Sequence, residues 1–136
     1  MSLKPPRTYT VEEANAALTQ VRRLVERIVE RFHQLPELQE QARVADYKTS
    51  RPTAGPEAEL EYEAARKAMH DAELEVAEDA LRLERLGVAL KDAQIGLIDF
   101  YSYREGELIE LCWKLGEDAV ENWHRIGEGF AGRRRL

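Results

Sequence analysis

Ile95-Gly96-Leu97-Ile98-Asp99-Phe100-Tyr101-Ser102 and Glu107-Leu108-Ile109-Glu110-Leu111-Cys112-Trp113-Lys114-Leu115 decide the fold of the C-terminal part of this chain. Arg104-Glu105-Gly106 interrupts them, so the pair reads as a β-hairpin over residues 95–115. Parity sets its register. With Glu105-Gly106 as a two-residue loop, Phe100 faces Leu111 and Ile98 faces Trp113. Ile98, Phe100, Ile109, Leu111, Trp113 and Leu115 then share one apolar face. A slip of one residue would place Asp99 among them and is rejected. The chosen pairing sets Asp99 opposite Cys112 on the other face.

Outward from the hairpin, the composition divides sharply. Residues 96–136 hold six of the eight glycines, both tryptophans and the only cysteine, whereas residues 10–86 contain one glycine and carry helical heptads. Thr10-Val11-Glu12-Glu13 reads as a capping box, with Tyr9 placed as a hydrophobic staple. Ala14, Leu18, Val21, Val25, Ile28, Phe32 and Leu35 follow at alternating spacings of four and three, the rhythm of a packed helical seam. The rhythm continues through Leu38, Ala42 and Ala45. One helix over 10–48, kinked near Pro36, is therefore expected. Leu24 and Val29 flank the seam and widen it beyond a two-stranded contact.

Thr49-Ser50-Arg51-Pro52-Thr53-Ala54-Gly55-Pro56 is a breaker-rich loop. A second helix is expected over 57–86, with its seam at Tyr62, Ala65, Met69, Ala72, Val76, Leu83 and Leu86 and Asp79 or Ala80 in the gap. Gly87 is placed to cap it. The short loop implies an antiparallel hairpin. Folding about it brings Arg23, Arg27 and Arg31 towards Glu73, Glu75, Glu78 and Asp79.

The net charge is −6, and Glu57–Leu86 alone, with ten acidic against four basic residues, accounts for it. Such a helix repels phosphate backbones and argues against nucleic acid as a partner. No stretch approaches the roughly 20 apolar residues of a membrane span. Met1-Ser2-Leu3-Lys4-Pro5-Pro6 lacks the apolar run of a signal peptide, and one cysteine suits a reducing cytoplasm.

Val88-Ala89-Leu90 is read as a short strand or linker. Beyond the hairpin, Gly116-Glu117-Asp118 is read as opening a short helix over 117–126, with Ala119, Val120, Trp123 and Ile126 on its buried side and Gly127 ending it. Gly96-Leu97-Ile98-Asp99-Phe100, Leu111-Cys112-Trp113-Lys114-Leu115-Gly116-Glu117, Trp123-His124, Gly129-Phe130-Ala131-Gly132-Arg133 and the opening Tyr9-Thr10-Val11-Glu12-Glu13-Ala14-Asn15 resemble the bacterial "domain of unknown function 2203" family over nearly the whole chain. Some members carry a cell-division-initiation label. The resemblance implies no catalytic residue, since the family defines none.

Asp99, Cys112, Glu117, His124 and Arg133 are the polar positions within those segments, and with Trp113 and Trp123 they form the candidate ligand-binding set. A purely structural reading pairs Asp99 with Arg133, lets Glu117 cap its helix and His124 satisfy the helix C-terminus, and makes the tryptophans core anchors. A structural zinc site is disfavoured, because Cys112 and His124 alone fall short of four Cys or His ligands. Asp99, Glu117 and His124 could hold a catalytic metal, and Cys112 with His124 could form a thiol–base pair, although Asp99 disfavours the thiolate. Arg133-Arg134-Arg135 reads as a frayed tail anchored by Arg133.

The expectation is an α+β, mostly α, single domain: a long antiparallel helical hairpin with a C-terminal β-hairpin and short helix. No cofactor or metal is assigned. The favoured function is a non-enzymatic scaffold or protein-interaction module, self-associating as a homodimer because two helices alone leave Leu24 and Val29 uncovered. The competing reading is a small-ligand-binding protein or metal-dependent enzyme centred on the C-terminal unit.

Overall fold

Two long helices come first and a five-stranded antiparallel sheet follows, an α+β fold that is mostly α. The computed structural model describes residues 6–136, so the signal-peptide reading of Met1-Ser2-Leu3-Lys4-Pro5 falls outside the described residues. Helix α1 spans Val11–Thr49 and α2 spans Pro56–Arg85. At the start of α1 the capping box is formed: the Glu13 N–H donates to Thr10 Oγ1 at 3.1 Å and the Thr10 N–H to Glu13 Oε1 at 3.0 Å. Pro36 does not end α1, which continues for more than three turns beyond it. Pro56 occupies the first turn of α2, where its missing N–H leaves no bond unmade.

The helices lie antiparallel and are held in register by charge. Arg27 Nε approaches Asp79 Oδ2 at 3.1 Å, Arg31 Nε meets Glu75 Oε2 at 2.5 Å, and Lys48 Nζ meets Glu61 Oε1 at 3.1 Å. Asp79 fills the seam gap as a buried carboxylate, and Arg82 on its own helix reaches its other oxygen. The guanidiniums reach this carboxylate from the surface, so its charge is compensated within the seam.

Strands β1 (Val88–Asp92), β2 (Leu97–Arg104), β3 (Glu107–Lys114), β4 (Asn122–Arg125) and β5 (Arg134–Arg135) pair in sequence order. In β2–β3, Ile98 faces Trp113, Asp99 faces Cys112 and Phe100 faces Leu111, the register that parity required. The apolar face of the sheet closes on the first half of α1. Leu18, Val21, Val25 and Ile28 are buried with Ile98, Phe100, Leu111 and Trp113 in one core, which Tyr9, Leu83 and Trp123 join. Tyr9 fastens the corner: its ring meets Phe100 edge-on at 5.0 Å, its N–H donates to the Tyr101 carbonyl at 2.7 Å and its hydroxyl donates to the Leu86 carbonyl.

The structure departs from expectation in three places. No helix forms over 117–126; the segment is a turn followed by β4. Asn15 of α1 clamps the Val120 backbone, donating to its carbonyl at 3.3 Å and accepting from its N–H at 2.7 Å. Arg22 Nη2 donates to the Asp118 carbonyl at 2.9 Å and Trp113 Nε1 to the Glu117 carbonyl at 3.1 Å. Backbone groups that a helix would need are thereby engaged. Second, Leu24 is buried and Val29 packs against the same core, so the fold itself covers both and neither is uncovered for a second copy. Third, the arginine tail is not frayed. Arg134–Arg135 pair with β4, and Arg133, Arg134 and Arg135 meet Glu117, Glu128 and Glu121 in turn.

Gly96, at the turn into β2, has φ +71, and a Cβ there would lie 2.7 Å from Leu115 Cβ and 2.9 Å from Val25 Cγ1. This is where the turn presses on α1, so only glycine fits. Gly96→Ala is expected to destabilise the protein by at least about 1–3 kcal/mol through overpacking, before backbone strain is added. Urea denaturation of the two proteins measures the difference, and equal midpoints would refute this packing.

Candidate functional site

Helices cover only the inner face of the sheet, and strand alternation sends the remaining side chains outward. Asp99 on β2, Glu110 and Cys112 on β3 and His124 on β4 all project to the outer face, yet each is at most 4% exposed. Four polar or reactive groups are thus buried on the side away from the hydrophobic core. The segment after β4 closes over them. A cavity of about 210 Å³ remains, with Asp99, Glu110 and His124 in its wall together with Lys91, Leu97, Gly127, Gly129 and Phe130. Gly129 takes φ +70, which lets the chain turn across the sheet at this point.

Two ion pairs hold that closing segment. Arg133 Nη2 donates to both oxygens of Glu117, at 3.0 and 2.7 Å, and Glu117 Oε1 also accepts from the Lys114 N–H at 2.8 Å. The Arg133 guanidinium and the Lys114 ammonium both lie over the Phe130 ring, at 4.8 and 5.5 Å from its centroid. Arg134 grips Glu128 with two bonds, at 2.9 and 3.2 Å, and the Arg125 N–H donates to the same carboxylate. These bonds pull the Glu128 carboxyl down to about 2.

Within the cluster, His124 Nε2 lies 3.1 Å from Asp99 Oδ1, and His124 Nδ1 donates to the Arg125 carbonyl at 2.9 Å. Burial, reinforced by the neighbouring Glu110 carboxyl, pushes the Asp99 carboxyl up to about 6 against the opposing pull of His124. Burial and the Asp99 charge push the Cys112 thiol up to about 12. Lys91 Nζ stands 3.5 Å from Glu110 Oε2, an oxygen that has no hydrogen-bond partner.

The structure therefore brings together Asp99, Cys112 and His124 from the sequence-derived set and separates the others. Glu117 and Arg133 form their own pair beside the pocket, so neither the Asp99–Arg133 pair nor an Asp99, Glu117, His124 triad exists. Trp113 and Trp123 lie on the inner face, as core anchors. Glu117 caps no helix, and His124 sits on a strand rather than at a helix end. Glu110 and Lys91 were not foreseen. Glu110 was recoverable: it is two residues from Cys112 on the same face of β3, a charge inside an otherwise apolar run. Lys91 sits at an irregularity between Leu90 and Asp92 where it has no partner in β2, so only the folded structure brings it to the pocket.

A helical hairpin laid on one face of an antiparallel meander, with a polar pocket on the other face, is the class of domain that fold and site define. The chain belongs to the DUF2203 family, described as an uncharacterized conserved protein, whose model matches residues 7–136. No curated protein and no solved structure matches it.

A buried thiol whose thiolate is disfavoured by burial and by Asp99 is a poor nucleophile, which argues against a thiol–base pair. Alkylation of Cys112 by iodoacetamide at neutral pH is expected to run at least about a hundredfold slower in the native protein than in urea. Comparable rates, followed by mass spectrometry, would show an activated thiolate instead.

Proposed function

We propose that the protein is a cation-binding domain, with its site in the outer pocket of the sheet and its helical hairpin serving as a rigid support and interaction arm. The observation that carries this reading is the convergence of two buried carboxyl groups, Asp99 and Glu110, and an imidazole on one cavity, with Lys91, 3.5 Å from Glu110, its one Lys or Arg ion-pair partner among the described residues. Buried acceptors are stable only when something donates to them. A cavity of about 210 Å³ has room for an ion with its waters, or for an organic cation of a few heavy atoms. The single cysteine, kept as a thiol, suits a reducing, cytoplasmic setting.

Methylguanidinium serves as an organic probe of the pocket. It is expected to shift the His124 and Phe130 ring resonances saturably, and Asp99→Asn is expected to weaken that binding at least about tenfold, the loss of a charge-assisted pair. If neither methylguanidinium nor any inorganic cation moves these resonances, the reading fails.

A second observation favours self-association as the role of the arm. Beyond Gln39, the buried apolar residues of α1 are Ala42 and Ala45. The groove between the helices there is lined by Val44, Ala45, Ala64, Ala65 and Ala68 and rimmed by Glu40 and Glu61. Val44, Tyr47 and Leu60 stand exposed along this end. A two-helix arm with an alanine seam gains little from its own packing, while Arg43 and Lys48 beside Glu40 and Glu61 give its rim both signs of charge, as a two-fold contact between identical surfaces requires. Light scattering of the full chain is expected to give twice the monomer mass at micromolar concentration, and Ala65→Glu is expected to return it to the monomer. A monomeric mass for the unaltered protein would remove this role.

A further inference from the structure

In its neutral form, His124 turns a lone pair towards a neighbour that also offers lone pairs. Its Nδ1 lies 2.9 Å from the Arg125 carbonyl. A carbonyl only accepts, so Nδ1 carries the hydrogen, and in the neutral ring Nε2 is then an acceptor. Nε2 nevertheless sits 3.1 Å from Asp99 Oδ1, another acceptor. Asp99 lies beside Glu110, whose buried Oε2 borders the same cavity without a hydrogen-bond partner. A single proton between His124 and Asp99 resolves one of these contacts. A metal ion resolves several at once, because it takes lone pairs from more than one donor.

The third donor is Cys112, which faces Asp99 across the β2–β3 pair. One ligand atom each from Asp99, Cys112 and His124 falls within 4.8 Å of the others, and all three residues are buried. Ligands at the bond lengths of a tetrahedral zinc ion stand roughly 3.3–3.8 Å apart, so small side-chain rotations complete the geometry. A mixed oxygen, sulfur and nitrogen set selects against magnesium and calcium, which take oxygen ligands. The Nδ1–H bond to a backbone carbonyl is the outer contact that orients a metal-ligating histidine through Nε2.

We propose that the pocket binds a divalent transition-metal ion of the zinc type, ligated by Asp99, Cys112 and His124 and open to the cavity at its fourth position. This rests on the cation-binding reading of the pocket and narrows it to one class of ion. On binding, the Cys112 S–H bond breaks, its proton passes to solvent and a metal–sulfur bond forms. Glu110 borders the open position, where its free oxygen can accept a hydrogen bond from a metal-bound water.

The test is a titration of the untagged full chain, stripped of metal by a chelator, with cobalt(II). One equivalent is expected to produce the near-ultraviolet charge-transfer absorption of a cobalt–thiolate bond, and zinc(II) is expected to bleach it. Cys112→Ser is expected to abolish the band, and Asp99→Asn to lower zinc affinity by at least about tenfold, with circular dichroism verifying that each variant is folded. Should a variant fail to fold, the spectrum of the unaltered protein decides alone. A folded protein that shows no such band and no thermal stabilisation by zinc overturns the metal site, as does zinc binding that both folded variants leave unchanged. Methylguanidinium separates the two proposals: if it binds where metal does not, the metal assignment alone falls, and if neither binds, both fall.

Discussion

Everything in this molecule depends on the antiparallel register of β2 with β3. It assigns alternate residues to opposite faces, so that Ile98, Phe100, Ile109, Leu111 and Trp113 meet α1 while Asp99, Glu110 and Cys112 are carried to the other side. A shift of one residue would exchange the two sets, burying carboxylates against Val21 and Ile28 and exposing two large aromatic rings. The loss would be several kilocalories per mole for each misplaced group. Core and pocket are therefore two consequences of one pairing. The same constraint explains why the pocket groups are so rigidly placed: each is fixed by a strand whose opposite side is locked into the hydrophobic core.

Much of this was legible in the chain because it is local. The spacings of four and three from Ala14 to Ala45 specify a helix whatever lies beyond it, and the Thr10–Glu13 box marks where it begins. The hairpin register followed from where Asp99 can sit. What could not be read was whatever distant residues decide. Residues 117–121 and Val120 in particular have the composition of a helix start, yet Asn15 and Arg22, about a hundred positions earlier, hold their backbone in a turn. After that turn Trp123 and His124 alternate across β4 with a period of two, although their spacing from Val120 also suits a helical face. The wide stripe of α1 was likewise visible, but its partner was not. Leu24 reads the same whether the rest of its own fold or a second copy covers it.

The candidate site shows the same division. Asp99 and Cys112 were brought together by strand parity alone, and His124 joined them only once β4 took its place beside β3. Glu117 and Arg133, equally prominent in the sequence, found each other instead. Their bidentate pair is partly buried beside the Phe130 ring and has a clear role in tying down the closing segment. The two sets differ in how their polar atoms are matched. In the Glu117–Arg133 pair a donor meets an acceptor, whereas the Asp99–Glu110–His124 group crowds two carboxyls and an imidazole together and leaves Glu110 Oε2 without a hydrogen-bond partner.

That asymmetry is the strongest reason to regard the outer pocket as more than incidental. A polar group that serves the fold is normally satisfied by it, as the partly buried Glu117 carboxylate is by Arg133 and the Lys114 N–H. If the outer cluster served stability, apolar side chains of similar size would serve it better, since they require no partner. Lys91 cannot supply the missing positive charge to the whole group, because its ammonium reaches only the Glu110 edge. On the cation-binding proposal, a sheet that holds such a group rigidly, one layer away from a well-packed core, exchanges local stability for readiness to receive a ligand, as sites of function do.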